Sequence, residues 1–289
     1  MNSTDKTEGR GMVNNVIVIS DLHAGCQLGL CPDEVHLDSG GSYKSSFLQK
    51  KVMAMWGHFW DEWVIEVSKG EPFDVIMNGD AIDGDHHNAK TQITHNLNDQ
   101  IEIAYTLLAP IVNNKMCRKY FHVRGTEAHV GKSGEFEELL AKKLNAIPDS
   151  LGNYARWELW LEIGKQKALC HFSHHIGATG SSSYESTAVY KELIEAFNEA
   201  GRWNDKPPSL VCRSHRHRQF EIRIPTASGY GITLVTPGWQ LKTPYVHRLP
   251  SGRASTPQIG GYLIRSGDKD GLYTRFKVWR VERPTTEIA

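Results

Sequence analysis

The chain has 289 residues, of which 39% are hydrophobic and 23% charged, a composition typical of a globular protein and not of a disordered or fibrous one. Lysine plus arginine and aspartate plus glutamate both number 33, which excludes a protein that binds nucleic acid mainly through its overall charge, although a local basic patch stays possible. There is no run of eighteen apolar residues and no apolar leader of the signal-peptide kind, so we expect a cytoplasmic protein without a membrane span. The five cysteines form no CxxC pair, which disfavours a disulfide scaffold.

The first half of the chain alternates predicted strands with predicted helices. Residues 1–13 are a polar tail that we expect to be disordered, and residues 14–289 are expected to form one domain. Apolar runs predict strands at residues 16–19, 73–77 and 120–123. Apolar residues at spacings of three and four predict helices at 47–67, 97–111 and 136–144, with Pro110 expected to kink or end the second one. This order predicts a parallel sheet with right-handed crossovers.

The second half is richer in strands and turns. We predict a hairpin of residues 157–163 and 167–172 around Gly164, then a helix near 189–197 and a strand at 210–212. From residue 220 onward the pattern is one of strands and turns, with strands at 232–235, 262–264 and 273–281. Residues 242–261 are rich in proline, glycine and serine and predict a long loop over a site. The expected fold is therefore an α/β mixed β-sandwich flanked by helices, parallel in its first half and antiparallel in its second.

Polar clusters follow several of these strands, at the position where ligands bind in open α/β sheets. The clusters are Asp21 with His23; Asp80, Asp83, Asp85, His86 and His87; Glu127 with His129; His171, His174 and His175; and His215 with His217. Residues two apart in an extended chain point to the same side, so the D-x-H and H-x-H pairs can each meet one ion. Together the clusters supply carboxylate and imidazole donors suited to divalent first-row metals, and no Cys-rich zinc site is implied.

Each cluster taken singly also has an ordinary structural explanation. Asp21 can cap a helix beside a surface histidine, an Asp-rich turn is common, and a strand histidine is usually hydrogen-bonded within the fold. The tryptophans at 56, 60 and 63 have the spacing of a buried helix face, which favours core packing over a surface that stacks bases. Only the complete set of clusters favours a metal centre.

The order of the clusters resembles the calcineurin-like metallophosphoesterase family, whose pattern is D-x-H, G-D-x-x-D, G-N-H-[D/E], a later His and G-H-x-H. The first two blocks match Asp21 with His23 and the segment 79–83, which contains Asp80 and Asp83. The later histidine matches His174, and the last block matches His215 and His217, with Ser214 in place of the family's glycine. The resemblance covers about residues 16–217.

The resemblance implies a dinuclear centre that hydrolyses phosphate mono- or diesters with a metal-bound hydroxide and no covalent intermediate. The implied ligands are Asp21, His23, Asp80 and His217 for one ion, and Asp80, His174 and His215 for the other. The two cations would be Mn, Fe, Zn or Ni.

The third block departs from the family pattern. Thr126 stands where the family has asparagine and Glu127 where it has histidine. We favour Glu127 as a replacement ligand of the second ion and His129 as the acid that assists the leaving group. The alternative is that Thr126 is a weak ligand and Glu127 has a supporting role.

A phosphate-ester substrate is the expected partner, with nucleic acid possible only as a substrate and no membrane partner. Arg124 and His87 are predicted to donate hydrogen bonds to phosphate oxygens, and His175 and Arg216 are further candidates. The alternative for Arg124 and Arg216 is pairing with a nearby acid. Arg248 and Arg253 give the loop at 242–261 the means to grip single-stranded or short nucleic acid. A non-catalytic scaffold of the same fold that binds metal or phosphate is the other alternative, supported only by the altered third block.

Overall fold

The computed structural model describes residues 13–86, 89–177, 182–227, 229–249, 256–267 and 271–281. Of the predicted polar tail, only Val13 belongs to this part, so the prediction of disorder falls outside it. His87 and Arg253, two predicted substrate contacts, also lie outside the described residues.

The strands and helices alternate along the first half of the chain, as predicted. The strands are β1 (Asn15–Ile19), β2 (Glu34–His36), β3 (Ser42–Lys44), β4 (Phe73–Asn78), β5 (Cys117–Val123), β6 (Ala155–Arg156), β7 (Leu159–Ile163), β8 (Ala168–Phe172), β9 (Leu210–Arg213), β10 (Phe220–Thr226), β11 (Gly229–Val235), β12 (Gln258–Ser266) and β13 (Leu272–Arg280). The helices are α1 (Phe47–His58), continued by a π-helical turn (Phe59–Trp63) and α2 (Val64–Val67), then α3 (Leu97–Val112), α4 (Glu127–Val130), α5 (Glu135–Lys143), α6 (Glu185–Trp203) after a 3-10 turn (Ser182–Tyr184), and α7 (Pro244–Arg248).

The first sheet has the strand order β13-β12-β1-β4-β5-β6. Strands β1, β4, β5 and β6 are mutually parallel, which confirms the arrangement predicted for the first half. Strand β12 returns antiparallel beside β1, and β13 lies antiparallel on its outer side. Every residue of β1 and of β4 is buried, which explains why both strands are predominantly apolar in the sequence.

The second sheet has the order β10-β11-β9-β8-β7, and it corrects the prediction of an antiparallel second half. The predicted hairpin of β7 and β8 is antiparallel, but β8 pairs parallel with β9, and β9 pairs parallel with β11. The reason is the 19-residue helix α6 between β8 and β9, because a helical crossover returns the chain in the same direction.

The core divides according to the two faces of the first sheet. Val16 and Val18 of β1 belong to a buried cluster that includes Phe172 and Leu234 of the second sheet. The alternate residue Ile17 belongs instead to a cluster that contains residues of helices α1, α3 and α5. This alternation is that of a strand whose two faces are both covered. Helix α6 packs against β9, β10 and β11 of the second sheet.

The structure agrees with the predicted helix face of the tryptophans and differs in detail from other predicted helices and loops. Trp56 and Trp63 are buried in the core, as the helical spacing predicts. Helix α3 continues past Pro110 to Val112. The segment at 242–261, predicted to be a long loop, contains α7 and the start of β12, and the short pair β2 and β3 at 34–44 was not predicted.

The five cysteine thiols are all free, and four of them are buried. In the part of the chain that the structure describes, no helix has both the length and the apolarity needed to cross a bilayer.

A buried carboxylate in β4 gives a prediction about stability. Burial raises the pKa of Asp74 to about 6, although Arg118 and Lys119 oppose the shift. Because the pKa is lower in the unfolded chain, ionisation of Asp74 destabilises the fold as the pH rises from about 4 to about 6. We expect Asp74→Asn to raise the free energy of unfolding by about 2 kcal/mol at pH 7.5 and by much less at pH 4.5. Urea unfolding at both pH values measures this difference.

The exposed Asp61 of the π-helical turn provides the matched control. Asp61→Asn should leave the free energy of unfolding within about 0.5 kcal/mol of the wild-type value at both pH values. An equal gain for Asp74→Asn at pH 4.5 and pH 7.5 would show that ionisation of Asp74 has no part in it.

Candidate metal centre

The predicted donor residues directly follow strands of both sheets, most of them on short turns and Glu127 and His129 in helix α4. Asp21 and His23 follow β1; Asp80 and Asp83 follow β4; Thr126, Glu127 and His129 follow β5; His174 follows β8; His215 and His217 follow β9. Backbone hydrogen bonds join the first two turns, because Asp21 N–H donates to the Gly79 carbonyl at 2.9 Å and His23 N–H to the Asp80 carbonyl at 3.1 Å.

The backbone of these turns is strained. In the described chain nine residues other than glycine have a positive φ, and five of them are predicted ligands. These five are Asp21, His23, Asp80, His215 and His217. Such conformations cost on the order of 1–3 kcal/mol each and persist where the surrounding structure holds them, typically at functional sites. Five of the predicted ligands therefore stand on strained backbone.

Two glycines allow the turns to pack this closely. Gly79 has φ of 86°, and a side chain there would meet the His174 ring and, at 2.8 Å, the Cα atom of Gly125. A Cβ atom at Gly125 would overlap the Asp80 carboxylate. Glycine is needed at both positions because the donor side chains occupy the space that a Cβ atom would take.

The structure brings the predicted histidine and aspartate ligands together in groups. Within each group the donor atoms lie within 4.8 Å of one another. The groups are Asp21, His23 and His217; Asp80, His174 and His215; and His23, Asp83 and His129. The first two correspond to the predicted ligand sets, except that Asp80 stands only in the second and Glu127 in neither.

Asp21, Asp80 and His174 connect the first two groups. His174 Nε2 lies 3.0 Å from Asp80 Oδ2 and 3.8 Å from Asp21 Oδ1, and His217 Nε2 lies 3.2 Å from the same Asp21 oxygen. His174 Nδ1–H donates to the Asn78 carbonyl at 2.7 Å, so Nε2 is the atom turned towards the carboxylates. Asp21 Oδ1 and His174 Nε2 are both buried, and beyond these ion-pair contacts neither has a hydrogen-bond partner of good geometry. Buried oxygen and nitrogen atoms that converge in this way fit divalent cations as ligands.

The charges of the group are strongly coupled. Burial by itself would raise the pKa of Asp21, but the His217 and His174 imidazoles outweigh it and lower the pKa to about 2. His174 and His129 likewise hold the pKa of Asp80 well below its usual range against the effect of burial. Burial opposes protonation of His174, yet Asp80 and Asp21 raise its pKa to about 10. A cation that binds at His174 must displace this proton, so metal affinity increases with pH.

A set of polar side chains behind the donors fixes their orientation. His23 Nδ1–H donates to Asp83 Oδ1 at 3.2 Å, and Gln240 Nε2–H donates to the same oxygen at 3.2 Å. Asn78 Nδ2–H donates to the Ser214 hydroxyl at 2.6 Å, which ties the turn after β4 to the turn after β9. Hydrogen bonds of this kind select the ring nitrogen that faces an ion. Gln240 was not predicted, because an isolated glutamine after a strand carries no sequence signal.

The altered third block places Thr126, and not Glu127, against the donors. Thr126 N–H and its hydroxyl both donate to Asp80 Oδ1, at 2.7 and 3.1 Å. Glu127 is exposed at the start of α4 and belongs to none of the donor groups found among the described residues. No contact supports the predicted role of Glu127 as a ligand, and Thr126 contacts Asp80 as a hydrogen-bond donor; the ligand roles of both residues stay predictions.

His129 lies beside the donors, as predicted. Its Nδ1–H donates to the Asp83 carbonyl at 2.5 Å, and its Nε2 lies 4.0 Å from Asp80 Oδ2. Burial lowers the pKa of His129 to about 4, although Asp80 opposes the shift. The ring is therefore neutral near pH 7 in the metal-free chain, with its Nε2 lone pair on the Asp80 side.

The predicted substrate contacts outside this set are less well placed. Arg124 pairs with Glu138 at 3.3 Å and donates to the Ser133 carbonyl at 3.0 Å, which is the pairing alternative considered for it. Arg216 donates to the Gly177 carbonyl. His175 is exposed, with its ring centroid 5.5 Å from that of His174.

A cavity of about 400 Å³ opens beside the donors. Donor residues, among them His23, Asp80 and His217, form one side of it, and residues of α7 form another.

Comparisons with known proteins give only distant similarities. No protein-family model matches the sequence, and neither does any curated protein. Among solved structures, Vps29 of Chaetomium thermophilum is 11% identical with a TM-score of 0.39, and the match covers 95% of this chain and 100% of that one. Sulfate thiohydrolase SoxB of Thermus thermophilus, in complex with glycerol, is 10% identical with a TM-score of 0.43, covering 94% of this chain and 57% of that one. A hypothetical protein, also from Thermus thermophilus, is 12% identical with a TM-score of 0.42, covering 92% and 99%. At this level of similarity, the function has to be inferred from the site itself.

Proposed function

We propose that this protein is a metal-dependent hydrolase of phosphate esters whose site holds two divalent cations. The observation that carries the proposal is the convergence of two adjoining groups of histidine and aspartate donors on the turns after β1, β4, β8 and β9. The order of these donors in the sequence, which resembles that of metallophosphoesterases, adds to it.

The donor chemistry suits such cations. Asp21, His23 and His217 would hold one cation, and Asp80, His174 and His215 the other. All of the donors are carboxylate oxygens or imidazole nitrogens, which accept Mn, Fe, Zn or Ni. When bound, a pair of such cations clamps the phosphoryl oxygens and makes water a stronger nucleophile near neutral pH.

The remaining side chains of the site have positioning and proton-transfer roles in this proposal. Thr126 fixes the Asp80 carboxylate through two hydrogen bonds, and Asp83 fixes the ring of His23. His129 Nδ1–H donates a hydrogen bond to the Asp83 carbonyl. The other ring nitrogen, Nε2, is therefore the atom through which His129 exchanges protons with the reacting group. A side chain in this position contributes about 10²–10⁴-fold to the rate of a hydrolysis.

Removal of metal should abolish the activity. We expect dialysis against a chelator to eliminate turnover of p-nitrophenyl phosphate or its bis-ester, because the donors alone cannot activate water. Addition of Mn, Fe, Zn or Ni should restore turnover, with about two ions bound per chain by mass spectrometry. As a control for inhibition by the chelator itself, the chelator is removed by gel filtration before the assay. Turnover that survives chelation would refute the proposal, and binding of one ion or none without hydrolysis would favour a non-catalytic scaffold.

A further inference from the structure

Part of the lining of the cavity beside the donors is not used by the proposed chemistry. Asp80 and His129 line the cavity, and so do Lys90, Thr91, residues of α7 and the adjoining Leu249. A volume of about 400 Å³ is larger than a single phosphate group needs and lies in the usual range for organic ligands. The cavity can therefore hold a substituent of the phosphate as well as the reacting group.

Helix α7 is held in a fixed place relative to the donors. Trp239 N–H donates to the Asp21 carbonyl at 2.9 Å, and Gln240 donates to Asp83 at 3.2 Å, shortly before the helix begins. Beyond it, Gln258 N–H donates to the His217 carbonyl at 2.9 Å. Residues before and after α7 thus contact three donor turns, and residues of α7 line the cavity beside them.

The charged side chains of the cavity favour binding of a second anion in addition to the reacting phosphate. Among the described residues that line it, the only carboxylates are Asp80 and Asp83, both of which belong to the donor groups. Lys90 and Arg248 line it as well, and within the described chain neither forms an ion pair. Two cationic side chains in a cavity whose acids are engaged at the metal site fit a second phosphate.

The residues that α7 contributes to the cavity are partly apolar and include an exposed aromatic ring. Tyr245 lines the cavity and is 48% exposed, and Pro244, Val246 and Leu249 lie beside it. An accessible aromatic ring next to a groove for phosphates is the arrangement on which nucleobases stack. Stacking of this kind changes the affinity by roughly tenfold per base.

We propose that the substrate is a nucleotide phosphodiester, with its base on Tyr245 and a neighbouring phosphate bound by Lys90 and Arg248. This inference rests on the function proposed above and specifies its substrate class. The balanced overall charge points to a short or single-stranded segment, because a long duplex requires many phosphate contacts. In the reaction, the oxygen of water bonds to phosphorus, the bond from phosphorus to the leaving oxygen breaks, and the protons of water pass to the leaving group or the solvent.

Three esters with one leaving group test the inference. They are methyl p-nitrophenyl phosphate, the p-nitrophenyl ester of thymidine 5′-phosphate, and the same thymidine ester with a 3′-phosphate. We expect kcat/KM of the metal-loaded wild-type protein to rise by about tenfold at each step of this series. Tyr245→Ala should reduce the ratio between the thymidine and methyl esters by about tenfold. The double variant Lys90→Gln/Arg248→Gln should remove the further gain from the 3′-phosphate.

Matched variants elsewhere on the chain should leave both ratios unchanged. Tyr230→Ala removes a tyrosine that is 60% exposed on β11, and Arg202→Gln removes an arginine whose side chain is 69% exposed on α6. Equal kcat/KM for the methyl and thymidine esters would overturn the inference and leave the proposed function intact. If no ester is hydrolysed, the proposed function fails. Equilibrium binding of thymidine 3′,5′-bisphosphate then tests the nucleotide site by itself. Binding that is weakened by Tyr245→Ala supports the nucleotide site, and equal binding by the wild-type protein and the variant overturns it.

Discussion

Replacement of Asp80 by asparagine is expected to lower kcat/KM for p-nitrophenyl phosphate by at least about 10³-fold, which corresponds to about 4 kcal/mol of transition-state stabilisation. The carboxylate is almost completely buried, lies 3.0 Å from His174 Nε2 and accepts two hydrogen bonds from Thr126. Asparagine has a similar size but lacks the negative charge that would hold a cation between these groups. We therefore also expect the metal content to fall from about two ions per chain to one or fewer.

Asp85 provides the control for this substitution. It lies five residues further along the chain, is 58% exposed and pairs only with the exposed His95 among the described contacts. Asp85→Asn should retain the wild-type kcat/KM and metal content, and circular dichroism should show both variants folded. A folded Asp80→Asn protein with full activity in buffer containing excess metal would contradict the proposed centre.

Replacement of His129 by glutamine is expected to lower kcat by about 10²–10³-fold and to leave the metal content near two ions per chain. The reason is that His129 Nε2 faces the Asp80 side of the cavity, while its Nδ1–H is held by the Asp83 carbonyl. Glutamine can replace the hydrogen bond to that carbonyl, but it cannot exchange a proton with the reacting group. Steady-state kinetics together with metal analysis measure both quantities.

The metal content separates a proton-transfer role from a ligand role. His129 also stands in a donor group with His23 and Asp83, so a loss of about one ion in His129→Gln would identify it as a ligand. The exposed His95 is the matched control, and His95→Gln should change neither kcat nor metal content. An unchanged kcat in His129→Gln would exclude both roles.

The first half of the fold could be predicted because its strands are buried on both faces. Five apolar or amide residues in sequence, as in β1, and an amphipathic helix of 16 residues, as in α3, leave few alternatives. The direction of β9 and β11 was predicted wrongly, because a period of two residues is the same in parallel and antiparallel strands. The helix at 185–203 between β8 and β9 was the available signal for a parallel pair.

The residues of the candidate site could likewise be predicted only in part from the sequence. His174, which stands 94 residues after Asp80, could be found from the order of the motifs and from its place in a histidine cluster at the end of a predicted strand. Which of Thr126 and Glu127 faces Asp80 could not be decided from the sequence, because it depends on how the chain turns after β5 ends. Glu127 starts the first turn of α4 and points to solvent, whereas Thr126 precedes the helix with an extended backbone. Gln240 reaches Asp83 from a segment 157 residues away, and no local pattern reports such a contact.

The position of β12 has a consequence for how the protein is made. Strand β1, which leads into the Asp21 turn, pairs on one side with β4 and on the other with β12, whose first residue is 243 positions after the start of β1. At a synthesis rate of roughly 5–20 residues per second, the nascent chain waits on the order of ten to fifty seconds on the ribosome before this partner is available. During that time an apolar strand edge is open to pairing with other polypeptides. Loss of the last strands through premature termination would therefore leave an aggregation-prone fragment that contains every donor residue but lacks the strand that covers the β1 edge.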